Sequence, residues 1–202
     1  MNQLQEYNVT NWSNYNYNSD EICHEIQEIL SEYPIGITRQ NIIVHYQSYP
    51  HNILKGFLMS MIWGHGYDNR GPWKVSKMLT DFPAAIEILN NAANAVVDQD
   101  LIRAHKSFRN MQKIRVNYFS KYLYFLGRGR NINRYPLIFD NRVASSICRL
   151  HDTNSDWFNL FNIQSNTDAE SYLSYNNLLH QQSDELNIEA EKIEYFLYLG
   201  IF

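Results

Sequence analysis

Two cysteines, Cys23 and Cys148, are all that the 202 residues contain. A single pair excludes a multi-disulfide framework, a four-cysteine zinc ribbon and a four-cysteine iron–sulfur site. Long apolar runs are also missing, since none reaches the roughly 18 residues that span a bilayer. The opening stretch MNQLQEYNVTNWSNYNYNSDE has neither a basic patch nor an apolar core, so no secretory leader is expected and the protein is read as cytoplasmic, with no membrane partner. LGRGRN offers Gly-x-Gly without a preceding strand or a third glycine, which excludes a dinucleotide fingerprint. Cys148 and His151 lie one helical turn apart, yet no second pair stands at ligand spacing, so neither a metal nor a cofactor is expected.

The scarcity with the most consequence is one of acid. After Asp98 and Asp100 the next carboxylate is Asp140. Between them stand Arg103, Lys106, Arg109, Lys113, Arg115, Lys121, Arg128, Arg130 and Arg134, nine of the seventeen basic residues of a chain whose net charge is −4. Such a block makes a local positive field whatever the total, and phosphate backbones bind local fields. The competing reading is a solvated surface balanced in space by acids from elsewhere.

With 45% hydrophobic residues the chain is long enough for one compact domain, or for two lobes around a cleft. Residues 1–18, rich in Asn and Tyr, read as an arm or loop, and 19–202 as a single all-helical domain. A helix is expected from Ser19 or Asp20, with Ile22, Ile26, Ile29 and Leu30 inward and Glu21, Glu25, Glu28 and Glu32 outward. RQNIIVHYQSY is a helix or a strand, and Asn52–Gly64 is apolar almost all round, as a buried helix is. Gly64, Gly66, Gly71 and Pro72 mark a loop, followed by helices over WKVSKMLTDF, PAAIEILNNAANAVV, QDLIRAHKSFRNM and residues 116–126. GRGRNINRY is a basic loop, a helix runs from Pro136 to about His151, and two amphipathic helices close the chain. No strand pair has a convincing hairpin turn and no repeat is visible. The class is all-α, with eight to eleven helices.

Within this pattern two charges are out of place. Lys121 sits in FSKYLYFLG among Phe119, Tyr122, Leu123, Tyr124 and Phe125. A lysine there either lays its stem on apolar surface with its amine in water, or is held in a pocket for chemistry. Lys121 is expected to open a helix, with Ser120 capping that turn. An amine at a helix N-terminus in an apolar wall loses its proton readily and becomes a nucleophile. Asp140, in PLIFDNRVAS, is an equally isolated carboxylate, suited to capping the next helix, to chemistry, or to both. Phe125, one turn after Lys121, faces the same side. Trp63 and Trp73 flank the glycine loop and suit either stacking on a base or core packing.

This arrangement resembles the helix–hairpin–helix DNA glycosylase superfamily, and within it the 8-oxoguanine DNA glycosylase branch. There a catalytic lysine opens the helix after the hairpin. A catalytic aspartate follows nineteen residues later behind a short apolar run, as Asp140 follows Lys121 (140 − 121 = 19). FLMSMIWGHGYDNRGPWKVSKML, YFSKYLYF and LIFDNRVAS together resemble a compact bacterial group of that fold, over roughly residues 52–200. The family's Gly-x-Gly before the Ser/Thr-Lys pair is replaced by Asn117 and Phe119. The larger enzymes' N-terminal β-domain has no counterpart.

The resemblance implies base excision repair of damaged or modified DNA. Lys121 would attack the sugar C1′ to form a Schiff base with AP-lyase activity, and Asp140 would assist. Phe125, Trp63 and Trp73 would wall the base pocket, and Ser120, Arg128, Arg130 and Arg134 would contact the nucleic acid. Two other readings stand beside it. One is a glycosylase-fold binding or interaction module that has lost catalysis. The other is an N-glycosidase acting on a nucleotide or a phage-modified base in defence.

Overall fold

The computed structural model describes residues 4–150 and 168–200. Among these the chain forms eleven helices and one two-stranded sheet: β1 Leu4–Glu6, α1 Val9–Ser13, α2 Asp20–Glu32, β2 Gly36–Thr38, α3 Arg39–Ser48, α4 Ile53–His65, α5 Gly71–Met78, α6 Phe82–Val97, α7 Leu101–Ser107, α8 Val116–Gly129, α9 Asn141–Leu150, α10 Ala169–Leu186 and α11 Ala190–Leu199. The all-α expectation holds. None of the described helices is long and apolar enough to cross a membrane.

Local chemistry sets most of the boundaries. Ser19, Asn52, Asp81, Asp100 and Asp168 each cap a helix by accepting a backbone N–H of its first turn. Thr38 and Asn41 form a reciprocal capping box that starts α3 and settles the helix-or-strand ambiguity there. Asn187 and Gly200 close α10 and α11 in left-handed conformations.

α8 is the axial element. Burial surrounds it almost completely, from Val116 through Phe119–Gly127 to Gly129, and α3, α4 and α6 pack on it. A side chain at Gly129 would collide with Tyr46 on α3, so glycine permits that crossing. α9 packs against α11, and α10 against both α7 and α11.

Three local expectations are corrected. The N-terminal arm belongs to the core, because Trp12 is fully buried and Tyr7 and Tyr17 nearly so. β1 also pairs antiparallel with β2, joining segments some thirty residues apart that no hairpin pattern signals. Residues 136–140 are extended, and the helix starts only at Asn141. The backbone of that extended run finds its partners in side chains of neighbouring helices. Leu137 N–H donates to Asn176 Oδ1 (2.6 Å), and Tyr172 and Tyr175 donate their hydroxyls to the carbonyls of Leu137 (2.7 Å) and Ile138 (2.8 Å). Phe139 N–H donates to Ser120 Oγ (3.1 Å). Buried peptide groups need such partners, and these four bonds supply them to Leu137, Ile138 and Phe139 without helix. α8 begins at Val116, as expected for residues 116–126, so Asn117 and Phe119 are helical. The turn ahead of them is a 3₁₀ segment, Phe108–Asn110, followed by a left-handed Lys113.

Candidate active site

The bonds that straighten residues 136–140 also aim Asp140. Its Oδ1 accepts the N–H groups of Arg142 (3.0 Å) and Val143 (3.1 Å), capping α9. Ser120, one residue before Lys121, ties that run to α8. Ser120 is therefore a buried strut between the two charged residues. It neither caps a helix nor reaches a surface where nucleic acid could touch it.

Lys121 lies in the second turn of α8, not at its start. Its residue is 6% exposed, and Nζ donates to the Asn117 carbonyl at 2.5 Å. Room for its stem comes from α4: a Cβ at Gly64 would stand 2.7 Å from Lys121 Cδ and 3.3 Å from Cε. Burial pushes the amine's pKa below that of an ordinary lysine. The Asp140 and Glu194 carboxylates oppose that fall, and Arg39 reinforces it.

A cavity of about 90 Å³ opens here, walled by Arg39, Trp63, Gly64, Lys121, Asp140 and Glu194, with Gln5, Ile138, Tyr195 and Tyr198 completing it. The structure thus brings Lys121, Asp140 and Trp63 to one hollow. Phe125 is fully buried behind it, edge-on to Trp63 (centroids 5.2 Å, 86°), so it backs a wall residue without lining the cavity itself. Trp73 is not in the wall. It is 41% exposed on α5, with Lys113 Nζ 5.6 Å over its ring.

The candidate phosphate contacts are also placed elsewhere. Arg128 pairs with Glu191 (3.2 Å), Arg130 donates to the Pro50 carbonyl, and Arg134 pairs with Asp184 (2.7 Å). Arg128 and Arg134 line a separate polar groove of about 600 Å³ that shares no residue with the Lys121 cavity. Within the acid-free segment, Arg128 and Arg134 are therefore answered in space by acids from α11 and α10, and Arg103 by Asp98 beside it. Of the metal candidates, His151 and the side chain of Cys148 lie outside the described residues. Among the described residues no cluster of three or more metal-ligating side chains occurs.

The sequence reading missed Arg39 and Glu194, a buried pair in which both guanidinium nitrogens meet both carboxylate oxygens at 3.3 Å. Arg39 also lies 5.2 Å over the rings of Trp63 and Tyr124. Burial alone would weaken its charge, but Glu194 and Tyr124 raise its pKa above that of an ordinary arginine. Glu194 is fully buried, and burial pushes its pKa up against the pull of Arg39. Its flanks, Ile193 and Tyr195–Phe196–Leu197, show the same anomaly that singles out Lys121.

A desolvated amine that shares a small cavity with two carboxylates and a tryptophan has the components of a nucleophilic site. Residues 1–198 match the family described as putative 8-oxoguanine DNA glycosylase OGG-like protein. The chain belongs to that family, so at family level it is a DNA glycosylase with DNA as its substrate. No curated protein and no solved structure matches it.

Proposed function

We propose that the protein excises an oxidised or otherwise modified purine from DNA and then nicks the strand as an AP lyase. Lys121 is the nucleophile. Its neutral Nζ bonds to C1′ as the glycosidic bond breaks, and the base departs with the electron pair. Transfer of a proton from nitrogen to O4′ opens the sugar to an imine; loss of a C2′ proton to a base then forms the C2′–C3′ double bond as the C3′–O bond breaks and the 3′ phosphate leaves. Asp140 supports the positive charge that develops on the sugar, in a setting where excluded water strengthens its attraction. Its second task, capping α9, fixes its position.

Burial of the Lys121 amine in one small hollow with the Asp140 carboxylate is the observation that carries this reading. A surface lysine has no reason to occupy that place, since burying an unpaired ammonium is costly. The hollow holds the equivalent of about three waters, at roughly 30 Å³ each. A base extruded from the stack therefore has to displace side chains at the mouth, of which Trp63, Tyr195 and Tyr198 are the aromatic ones. Arg134 stays available to a phosphate, because an exposed ion pair like its own is worth only about 0–1 kcal/mol.

The test is borohydride trapping on oligonucleotides bearing 8-oxoguanine, uracil, an abasic site or a hypermodified base. Wild type should form a covalent adduct and Lys121→Gln should form none. An adduct that survives in Lys121→Gln assigns the attack to another amine. The internal pairing of Arg128, Arg130 and Arg134 favours one second reading, an N-glycosidase acting on a nucleotide or a phage-modified base. Cleavage of a free modified nucleotide, with no adduct on any DNA in the panel, would select it. A binding module without catalysis would retain DNA and give neither product.

A further inference from the structure

The structure places a second carboxylate beside the amine, and we propose that this residue, Glu194, is the proton acceptor that frees Lys121 for attack. The inference rests on the reading of Lys121 as the nucleophile. It assigns the two acids of the cavity different tasks.

Geometry separates them. Asp140 is bound through Oδ1 to two N–H groups at the start of α9, and protonating it would weaken that cap. Glu194 comes from α11 on another wall and caps nothing. Arg39 grips both of its oxygens and is itself held between the rings of Trp63 and Tyr124, so the carboxylate cannot swing out of the cavity. In a space of about 90 Å³ no more than one or two waters separate groups on opposite walls. Proton transfer across it is direct or passes through one or two waters.

Charge arithmetic favours an internal transfer. Lys121 and Arg39 carry two positive charges, and Asp140 and Glu194 carry two negative ones. Loss of the lysine proton to bulk solvent would leave a buried net charge of −1, which low-dielectric surroundings resist. Transfer to Glu194 keeps the sum at zero. Burial makes the Glu194 carboxylate more basic than an ordinary glutamate, against the opposing pull of Arg39. His65 on α4 contributes no competing charge, because burial holds it neutral with a pKa lowered to about 4. Tyr175 on α10 stays a neutral phenol, its pKa well above the usual value.

The step balances. An Nζ–H bond breaks and its proton goes to a Glu194 oxygen, leaving the lone pair on nitrogen. Nζ bonds to C1′ as the bond from C1′ to the base breaks. The Glu194 proton then passes to the departing base nitrogen, and the carboxylate is restored.

The probe is an oligonucleotide with a preformed abasic site, because amine attack on its aldehyde needs a free lone pair but no base departure. Adduct formation is followed by cyanoborohydride trapping from pH 5 to pH 10. In Glu194→Gln the rate at pH 7 should fall about 10²-fold, the usual scale for losing a general base, and should climb with pH toward the wild-type value. A role limited to electrostatics predicts the reverse. Removing a negative charge makes the amine easier to deprotonate, so trapping at pH 7 would hold or rise. Either that result or an equal loss at every pH overturns the proposal. Should Glu194→Gln not fold, Arg39→Gln combined with Glu194→Gln removes both buried charges and should show the same alkaline dependence; a wild-type profile in that variant refutes it. Absence of any wild-type adduct, or an adduct in Lys121→Gln, would instead bring down the nucleophile assignment itself.

Discussion

Gly64→Ala is a small change that should separate the fold from the chemistry. The added methyl carbon would stand 2.7 Å from Lys121 Cδ and 3.3 Å from Cε, well inside ordinary contact. Two effects on stability oppose each other. Alanine in a helix gains about 1 kcal/mol over glycine, and overpacking a buried site costs about 1–3 kcal/mol. The net is between zero and about 2 kcal/mol, which for a chain of this length moves the Tm by less than about 8 °C. The lysine stem has to shift by several tenths of an ångström or change rotamer, carrying Nζ away from its place opposite Asp140 and Glu194. A displacement approaching 1 Å in a reacting group costs on the order of 10²-fold in rate. We expect a folded protein, by circular dichroism and thermal melting, whose adduct formation with an abasic oligonucleotide is slowed about 10²-fold. Wild-type trapping by the folded variant would mean that the position of the Lys121 amine in this cavity is not what the chemistry depends on.

Further outcomes follow from the same geometry. Asp140→Asn should keep the α9 cap, since asparagine caps as well as aspartate; it should change the urea midpoint little while reducing base release about 10²-fold or more, whereas Asp140→Ala should also lose about 1 kcal/mol of stability. Arg39→Ala leaves a fully buried carboxylate without its partner, a loss of about 3–5 kcal/mol that thermal melting should register as a Tm drop of roughly 10 °C or more; replacing Arg39 and Glu194 together by methionine should recover much of it. His65 and His105 are buried, and burial lowers both pKa values to about 4 from the ordinary 6.5. The unfolded chain therefore binds their protons first, so stability is complete above about pH 6.5 and falls as the pH drops toward 4. Urea titrations across that window should show the slope, and His65→Phe, which preserves the stack on Tyr118 (4.6 Å), should reduce it to the His105 contribution.

What the chain discloses unaided divides along the range of the interactions. Helix class, most caps and the two anomalous charges are local properties; Lys121 and Asp140 were legible because each disturbs its own short pattern, and Trp63 because it flanks the glycine loop. The Arg39–Glu194 pair joins residues 155 positions apart, and neither partner's neighbours reveal the other. The pairing of Arg128 with Glu191 and of Arg134 with Asp184 is similarly nonlocal, so the C-terminal end of a run that reads as an open positive field is answered by distant acids. PLIF reads as helix because its side chains fit one. The structure holds it extended because Asn176, Tyr172, Tyr175 and Ser120 supply partners that no window around residue 137 contains. Trp73 and Phe125 show the converse. An aromatic picked out by its place in the sequence lines the cavity only if the packing of its helix allows it, and here Phe125 is buried behind the wall and Trp73 stands toward solvent.

The most direct measurement is the location of the reduced covalent bond. Wild-type protein would be treated with borohydride on an abasic oligonucleotide, digested with nuclease and protease, and sequenced by tandem mass spectrometry. The sugar remnant is predicted on the Nζ of Lys121 alone. A remnant on Lys74, Lys113 or the N-terminal amine, with the Lys121 peptide unmodified, would contradict the account.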